Sequence, residues 1–206
     1  MCGVIGVFGR ENAKELVLKG MKLISYRGKD GYGLWGDHFL DYSDSISFKD
    51  FNGVNAIGHC LHAVVDKIKQ PLSCGGVFAA NCEIYNWQEL CKEYNLKLWN
   101  DAELFFYLLE KFGVVKTLEL VDGDYAGVYF RNGKVYLFRD KVGVKPIWYS
   151  LENCLVFASE RKVLRSFGCE NVFELNPREL LVYDVEKKEV EFINLNFYET
   201  VKYDDD

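Results

Sequence analysis

The chain has 206 residues, of which 49% are hydrophobic and 16% aromatic, and only three are proline. This composition excludes a disordered or fibrous protein, and the length suits one packed domain that needs neither metal nor disulfides to fold. The formal net charge of -6, with aspartates at residues 204–206, argues against direct binding to nucleic acid or to an anionic membrane.

The predicted strands are segments in which β-branched and aromatic residues gather between turn residues. In chain order they are residues 4–8, 33–35, 56–59, 76–80, 127–131, 135–139, 147–150 and 155–158. Asn132-Gly133 between two of these segments indicates a tight hairpin, and residues 180–185 with 189–193 suggest a second one. We therefore expect antiparallel pairing.

Apolar residues at helical spacing predict helices over residues 12–24, 87–94, 102–112 and 160–167. Asn100-Asp101 precedes the third of these and is typical of a helix cap. Strands and helices do not alternate strictly, which favours an α+β layered sheet protein over a doubly wound nucleotide-binding fold. No internal repeat or linker divides the chain, so we predict a single domain over residues 1–206 with a short acidic tail.

The spacing of the seven cysteines and the length of the apolar runs indicate the cellular compartment of the protein. The cysteines form no Cys-x-x-Cys pair, which favours a reducing cytoplasm over a disulfide framework or a zinc site. No apolar run approaches the ~18–20 residues that span a bilayer, and the N-terminus does not read as an export signal. We expect a cytoplasmic protein with no membrane contact, no metal and no other cofactor.

Cys2 is the candidate nucleophile. It follows the initiator methionine and precedes Gly3, so removal of Met1 would expose a thiol and a free α-amine on one residue. An α-amine with a pKa of about 7.7–8.0 can accept the proton of a thiol with a pKa of about 8.5, so no histidine is required. Taken alone, a cysteine at the second position is better explained by chance.

The segment after the predicted strand 76–80 offers a matching site. Asn81 would stand at the end of that strand, where its side-chain amide and the backbone N–H of Cys82 could converge on an oxyanion. Taken alone, this segment suits an ordinary turn equally well.

Ordered motifs along residues 2 to about 185 give the chain a family resemblance. They are Met-Cys-Gly-Val-Ile-Gly-Val-Phe at the start, Arg27-Gly28-Lys29-Asp30, Gly58-His59, Gln70-Pro71-Leu72, Asn81-Cys82-Glu83-Ile84-Tyr85-Asn86, Asp101-Ala102-Glu103, Asp122-Gly123-Asp124-Tyr125-Ala126, Arg139-Asp140-Lys141-Val142-Gly143-Val144-Lys145-Pro146 and Ala158-Ser159-Glu160. The chain resembles the glutaminase domain of asparagine synthetases, a class II glutamine amidotransferase of the N-terminal nucleophile (Ntn) hydrolase type. This resemblance implies a four-layer αββα sandwich of two antiparallel sheets.

The resemblance also implies a chemistry. Cys2 would attack the side-chain amide of glutamine, release ammonia, and leave a thioester that water hydrolyses to glutamate. Asn81 and the Cys82 N–H would stabilise the oxyanion. Glu83 would help to hold the backbone groups of the substrate, and Asp101 would pair with its α-ammonium group.

Three other matched motifs are interpreted as scaffold. Arg27 and Asp30 lie in the loop that orders the nucleophile in this family, and we expect a structural ion pair between them within a turn. Arg139-Asp140 suits a strand that leaves into a tight turn. Ser159-Glu160 is interpreted in the same way.

Some residues expected to bind the substrate differ from the family pattern. Leu61 stands where the family has an arginine that binds the α-carboxylate of glutamine, and losing such a contact costs roughly 1.5–3 kcal/mol. His62 could replace it if the strand shifts its register, because alternation otherwise points it to the opposite face. Val65 completes the predicted substrate-binding set, and Cys82 replaces the usual glycine and narrows the pocket.

Synthetases of this family continue into an ATP-pyrophosphatase domain marked by a Ser-Gly-Gly-Xaa-Asp loop, which this sequence lacks. The expected partners are therefore glutamine and a separate ATP-dependent synthetase subunit that receives the ammonia. Leu61 and Cys82 leave two alternatives open. One is a degenerate module that binds an amino acid or a partner without turnover, and the other is an amidohydrolase of a different amide.

Overall fold

A computed structural model of the protein describes residues 1–63 and 67–195. Its strands and helices in chain order are β1 (Gly3–Phe8), α1 (Ala13–Ile24), β2 (Gly31–Gly36), β3 (Phe39–Ser43), β4 (Asn55–Leu61), β5 (Leu72–Cys74), β6 (Gly76–Ile84), α2 (Trp87–Glu93), α3 (Asp101–Phe112), α4 (Val114–Leu120), β7 (Gly123–Arg131), β8 (Lys134–Arg139), β9 (Trp148–Ser150), β10 (Leu155–Ala158), α5 (Arg161–Ser166), β11 (Phe173–Glu174), β12 (Glu179–Asp184) and β13 (Glu189–Asn194). A 3-10 turn, Ser25–Arg27, follows α1. Val65 and the acidic tail named above lie outside the described residues.

The strands form two sheets in which every pairing is antiparallel. The first sheet has the order β11-β9-β10-β1-β4-β2-β3, and the second has the order β13-β12-β8-β7-β6-β5. Helices α1 and α5 pack on the first sheet, and α3 packs on the second. These layers confirm the α+β sandwich of two antiparallel sheets that the sequence predicted.

Alternation along β1 shows how the layers are held together. Val4 and Phe8 belong to the buried cluster between the two sheets. Ile5 and Val7 belong to the cluster under α1 and α5. Because successive side chains of a strand point to opposite faces, β1 is buried on both sides and lies at the centre of the molecule. Because β1 begins at Gly3, the preceding residue, Cys2, is also buried.

The predicted elements agree well with those observed, and the misses share a physical cause. The sequence did not predict β3, β5, β11 or α4. The first three are edge strands or very short strands whose side chains are mostly half-buried or exposed, so they lack an apolar signal. Helix α4 begins directly after Gly113, whose φ of 78° separates it from α3. The predicted cap of α3 is confirmed, because Asn100 Oδ1 accepts the N–H of Ala102 at 2.7 Å.

His59 joins the two sheets from within the core. It is fully buried on β4, and its Nε2 donates to the carbonyl of Ala80 on β6 at 3.1 Å. Burial lowers the pKa of its imidazole to about 4, so the ring is neutral at physiological pH.

His59 is expected to make the protein less stable in acid. Its pKa is about 4 when folded and about 6.5 when unfolded, so between these values the unfolded chain binds more protons. The free energy of unfolding should therefore fall by up to about 3 kcal/mol as the pH drops from 6.5 to 4. Urea unfolding of wild type and His59→Gln at pH 7 and pH 4.5 measures this difference. The glutamine amide can still donate to Ala80 but does not titrate, so an equal loss in both proteins would contradict the assignment.

Candidate active site

Cys2 directly precedes β1 and lies at the wall of a cavity of about 50 Å³ that we call the Cys2 cavity. The residues that line it are Met1, Cys2, Leu61, His62, Ile68, Gln70, Asn81, Cys82, Glu83, Asn100, Asp101 and Ala102. The structure thus brings together Cys2 and every predicted oxyanion and substrate residue that it describes. The roles of these residues remain predictions.

Three contacts fix the position of Cys2, through its N–H group, its carbonyl and its sulfur. Its N–H donates to Asn81 Oδ1 at 3.0 Å, and its carbonyl accepts from Arg27 Nε at 2.9 Å. The N–H of His62 lies 3.4 Å from the sulfur. Burial raises the pKa of the Cys2 thiol, which the backbone contact with His62 and the charge of Arg27 partly offset. The thiol is therefore protonated at neutral pH, and the nitrogen of Cys2, an amide while Met1 is present, cannot accept its proton.

Asn81 carries an unpaired donor at this site. The residue is buried, its Oδ1 is used by Cys2, and its Nδ2 has no hydrogen-bond partner among the described residues. A buried donor left unpaired costs about 1–3 kcal/mol, so it needs an explanation. The prediction that Asn81 ends a strand is wrong, because β6 continues to pair with β7 as far as Ile84.

The Cys82 N–H lies on an open edge of β6. Ala80 N donates to Gln70 Oε1 at 2.7 Å, and Ile84 N donates to Asp101 Oδ2 at 2.9 Å. Alternate N–H groups of a strand point to the same side, so the Cys82 N–H points the same way, away from β7. Strand β5 pairs with β6 only as far as Phe78, so no described strand pairs with β6 at Cys82 on this side. The Asn81 amide and the Cys82 N–H are thus adjacent donors beside Cys2.

The cavity carries two carboxylates of different character. Asp101, at the start of α3, is buried and accepts the N–H groups of Ile84 and Ala102, each at 2.9 Å. Burial raises its pKa, and these backbone hydrogen bonds oppose the shift. Glu83 is about half exposed and pairs with Lys145 Nζ at 3.0 Å. In the described part of the chain no lysine or arginine forms an ion pair with Asp101.

Leu61 and His62 form the wall that departs from the family pattern. Leu61 is the last residue of β4 and is 6% exposed. His62 also lines the cavity, although the alternation of side chains predicted the opposite face. Because β4 ends at Leu61, strand alternation does not fix the direction of the His62 side chain. The His62 ring is about half exposed, with Nδ1 3.6 Å from Asp30 Oδ2.

Arg27 and Asp30 do not form the ion pair that the sequence predicted. Arg27 NH1 pairs with Glu160 at 3.0 Å while its Nε binds the Cys2 carbonyl. Asp30 accepts the N–H of Ala63 at 2.9 Å and faces His62. Arg27 thus holds the backbone of Cys2, while Asp30 holds the segment that follows β4. Their partners are remote in sequence, which is why a local turn was the simpler expectation.

Cys82 and the unpredicted residues complete the site. Burial, followed by the negative charge of Asp101, raises the pKa of the Cys82 thiol well above its usual range. The sequence did not predict five residues of the site. Four of them line the cavity and the fifth, Lys145, pairs with Glu83; the four are Ile68, Gln70, Asn100 and Ala102. Four of these five, all except Ile68, lie in or beside motifs of the family resemblance, which was the available signal.

The described residues hold neither a candidate metal site nor a membrane-spanning helix. No group of three or more histidine, cysteine, aspartate or glutamate side chains there is arranged to hold a metal ion. No helix in that part of the chain is long and apolar enough to cross a membrane. All seven cysteines, each of them described, are free thiols.

Comparison with protein families and curated proteins gives consistent matches. A model of a glutamine amidotransferase domain matches residues 1–202. Asparagine synthetase of Rattus norvegicus is 28% identical over 81% of this chain and 30% of its own length. The amidophosphoribosyltransferase of Pyrococcus horikoshii is 27% identical over 88% of this chain and 47% of its own length. The chain thus spans less than half the length of the curated relatives that it matches.

The solved structures support the same fold. The glutamine phosphoribosylpyrophosphate amidotransferase of B. subtilis superimposes with a TM-score of 0.81 at 23% identity, over 94% of this chain and 49% of that chain. A second structure, described as the allosteric regulatory enzyme of purine biosynthesis, has a TM-score of 0.80 at 21% identity and the same coverage. At these identities the likeness concerns the fold.

Proposed function

Because the chain belongs to the class II glutamine amidotransferase domain family, we propose that it hydrolyses the side-chain amide of glutamine and passes the ammonia to an acceptor reaction. The observation that carries this proposal is the unpaired Asn81 Nδ2, which is buried next to Cys2 with the Cys82 N–H beside it. Two such donors are what an oxyanion at an attacked amide carbon requires.

The proposed reaction begins when Met1 is removed and the α-amine of Cys2 becomes free. This amine takes the thiol proton as Sγ attacks the amide carbon of glutamine. Asn81 Nδ2 and the Cys82 N–H then stabilise the negative oxygen of the tetrahedral intermediate. The carbon–nitrogen bond breaks, the amine returns the proton to the leaving nitrogen, and ammonia departs. Water, deprotonated by the same amine, hydrolyses the Cys2 thioester and releases glutamate.

The charged groups of the cavity suit an α-amino acid substrate. Asp101, which has no cationic partner in the described ranges, would pair with the α-ammonium group. Because burial raises its pKa, this pairing should weaken at a higher pH on acidification than it would for an exposed aspartate. Among the described residues that line the cavity, His62 has the one side chain that can carry a positive charge, so we assign it to the α-carboxylate.

A partner that receives the ammonia is also proposed. Two exposed aromatic side chains lie close in sequence to cavity residues: Trp99 is 75% exposed beside Asn100, and Tyr85 is 62% exposed two residues after Glu83. Apolar surface of this kind marks interaction sites. Some relatives of this chain are named as asparagine synthetases. We therefore propose that the partner is an ATP-dependent synthetase on a separate subunit. The seven free thiols favour a cytoplasmic setting.

Release of glutamate from L-glutamine tests the proposal. The protein is first shown by intact mass to lack Met1, and a panel of amides is then assayed beside glutamine. Turnover of glutamine above that of the other amides supports the proposal. Faster turnover of another amide would favour the amidohydrolase alternative suggested by the apolar Leu61. Binding of glutamine without any turnover would favour a regulatory module.

Leu61→Arg is expected to improve the use of glutamine. Leu61 stands at the cavity wall, where a guanidinium could bind the α-carboxylate in a charge-assisted contact of roughly 1.5–3 kcal/mol. KM for glutamine should therefore fall by about 10-fold or more with little change in kcat. Leu61→Met, of similar size and uncharged, is the control, and thermal unfolding checks that both variants fold. An unchanged KM in a folded arginine variant would show that the carboxylate lies elsewhere.

A further inference from the structure

The connection between β8 and β9 is organised by a buried carboxylate. Asp140 is 1% exposed and accepts the backbone N–H groups of Val142, Val144 and Lys145 at 3.2, 2.8 and 2.9 Å. Its own N–H donates to the carbonyl of Tyr125 at 2.7 Å. Several hydrogen bonds to one carboxylate fix a turn closely, so the path of this loop is set by Asp140.

Arg139 secures the same loop from the other side. Its NH1 donates to the carbonyl of Leu175 at 2.9 Å and pairs with Glu174 at 2.8 Å, and its NH2 donates to the carbonyl of Gly143. Gly143 has a φ of 79°, and a Cβ at this position would lie 3.0 Å from Arg139 NH2. The loop is thus held on both faces, as expected of a scaffold motif.

This fixed loop places a lysine next to Glu83, a carboxylate that lines the Cys2 cavity. Lys145 is 7% exposed, and its Nζ lies 3.0 Å from Glu83 Oε1. Among the described residues it is the one cation that pairs with a carboxylate lining the cavity. Neither the loop nor Lys145 has a place in the reaction described above.

We propose that Lys145 is a positioning residue that holds Glu83 against the rim of the cavity, so that Glu83 and Asp101 together receive the α-ammonium group of the substrate. This inference rests on the proposed function. Glu83 has three rotatable bonds and is half exposed, so it needs a fixed partner to keep one orientation. Lys145 takes Oε1 and leaves Oε2 for the substrate. It also cancels one of the two negative charges, so the cavity presents one net negative charge to one ammonium group.

Kinetics of Lys145 variants test the inference with two substrates. L-glutamine carries the α-ammonium group, whereas glutaramate keeps the amide and the carboxylate and lacks it. Lys145→Met should raise KM for glutamine roughly 5- to 30-fold with kcat within about two-fold, and should leave KM for glutaramate unchanged. Lys145→Arg should restore most of the glutamine KM. Lys134→Met, the same charge change at the other end of β8, is the matched control and should behave as wild type.

A double-mutant cycle that combines Lys145→Met with Glu83→Gln tests whether Lys145 affects KM through Glu83. If Lys145 acts through Glu83, adding Lys145→Met to Glu83→Gln should raise KM no further. Loss of kcat at constant KM, or an equal defect with glutamine and glutaramate, would overturn the inference and leave Lys145 as scaffold.

Glutamine binding separates this inference from the proposed function. Calorimetry on the Cys2→Ala protein, with and without Lys145→Met, measures Kd without turnover. Weaker binding after Lys145→Met supports the inference even if the wild type proves to have no glutaminase activity. Equal binding by the two proteins, or no binding by either, overturns it.

Discussion

Cys2→Ala is expected to abolish glutamine hydrolysis, lowering kcat by on the order of 10⁴ or more, because no thioester can form without the attacking sulfur. The residue is buried, with its sulfur against the His62 backbone, and the smaller side chain should leave the fold intact. Glutamate release by protein shown to lack Met1 is the measurement. A kcat above about one hundredth of the wild-type value would contradict the assignment of the nucleophile.

The matched control is Cys74→Ala. Cys74 is an exposed thiol on β5 and does not line the Cys2 cavity, so its removal should leave kcat unchanged. Protein that retains Met1 supplies a second comparison, since the nitrogen of Cys2 is then an amide and cannot accept a proton. Its activity should be as low as that of Cys2→Ala. Equal activity before and after Met1 removal would point to another base.

Asn81→Ala is expected to lower kcat by about 10²- to 10³-fold, the usual cost of removing one oxyanion donor. The donor concerned is Nδ2, which is unpaired in the described structure and is therefore free for the transition state. KM should change far less than kcat, because the contact forms mainly after attack. Steady-state kinetics on glutamine give both values.

Asn81→Asp sharpens this test. It keeps the oxygen that accepts the Cys2 N–H at 3.0 Å and replaces the donor nitrogen by a second acceptor. Both variants should lose kcat, and near-wild-type thermal unfolding of the alanine variant would show that the loss is not one of folding. If instead the whole effect appeared in KM, Asn81 would be a substrate contact and the oxyanion site would lie elsewhere.

The sequence predicted the core of the fold because its signals there are local. The Asn132-Gly133 turn joins β7 and β8 as expected, with φ values of 50° and 74° that suit such a turn. The strand β1 and the capped helix α3 were visible for the same reason. Edge strands such as β3 were missed because partly exposed strands carry no continuous apolar pattern.

The site was predictable as a set of residues and much less as a set of contacts. Motif order brought Cys2, Asn81 and Asp101 together correctly. The partner of Arg27 is 133 residues away, and that of Lys145 is 62 residues away. Such pairings depend on how whole sheets stack, and no local pattern encodes them. The place of His62 depended on the last residue of β4, and strand ends are set by tertiary packing.

The uncovered edge of β6 beyond Phe78 bears on the solubility of variants at this site. An open strand edge is a template for pairing with another chain, and proteins protect such edges. Here the side chains of Gln70 and Asp101 accept the N–H groups of Ala80 and Ile84, so that within residues 1–63 and 67–195 the Cys82 N–H is the one donor of this edge that has no partner. Strand addition needs several unpaired backbone groups in a row, so a single free N–H group does not support it. Substitution of Gln70 or Asp101 would add a second free N–H group to this edge, and such variants would then aggregate by strand addition.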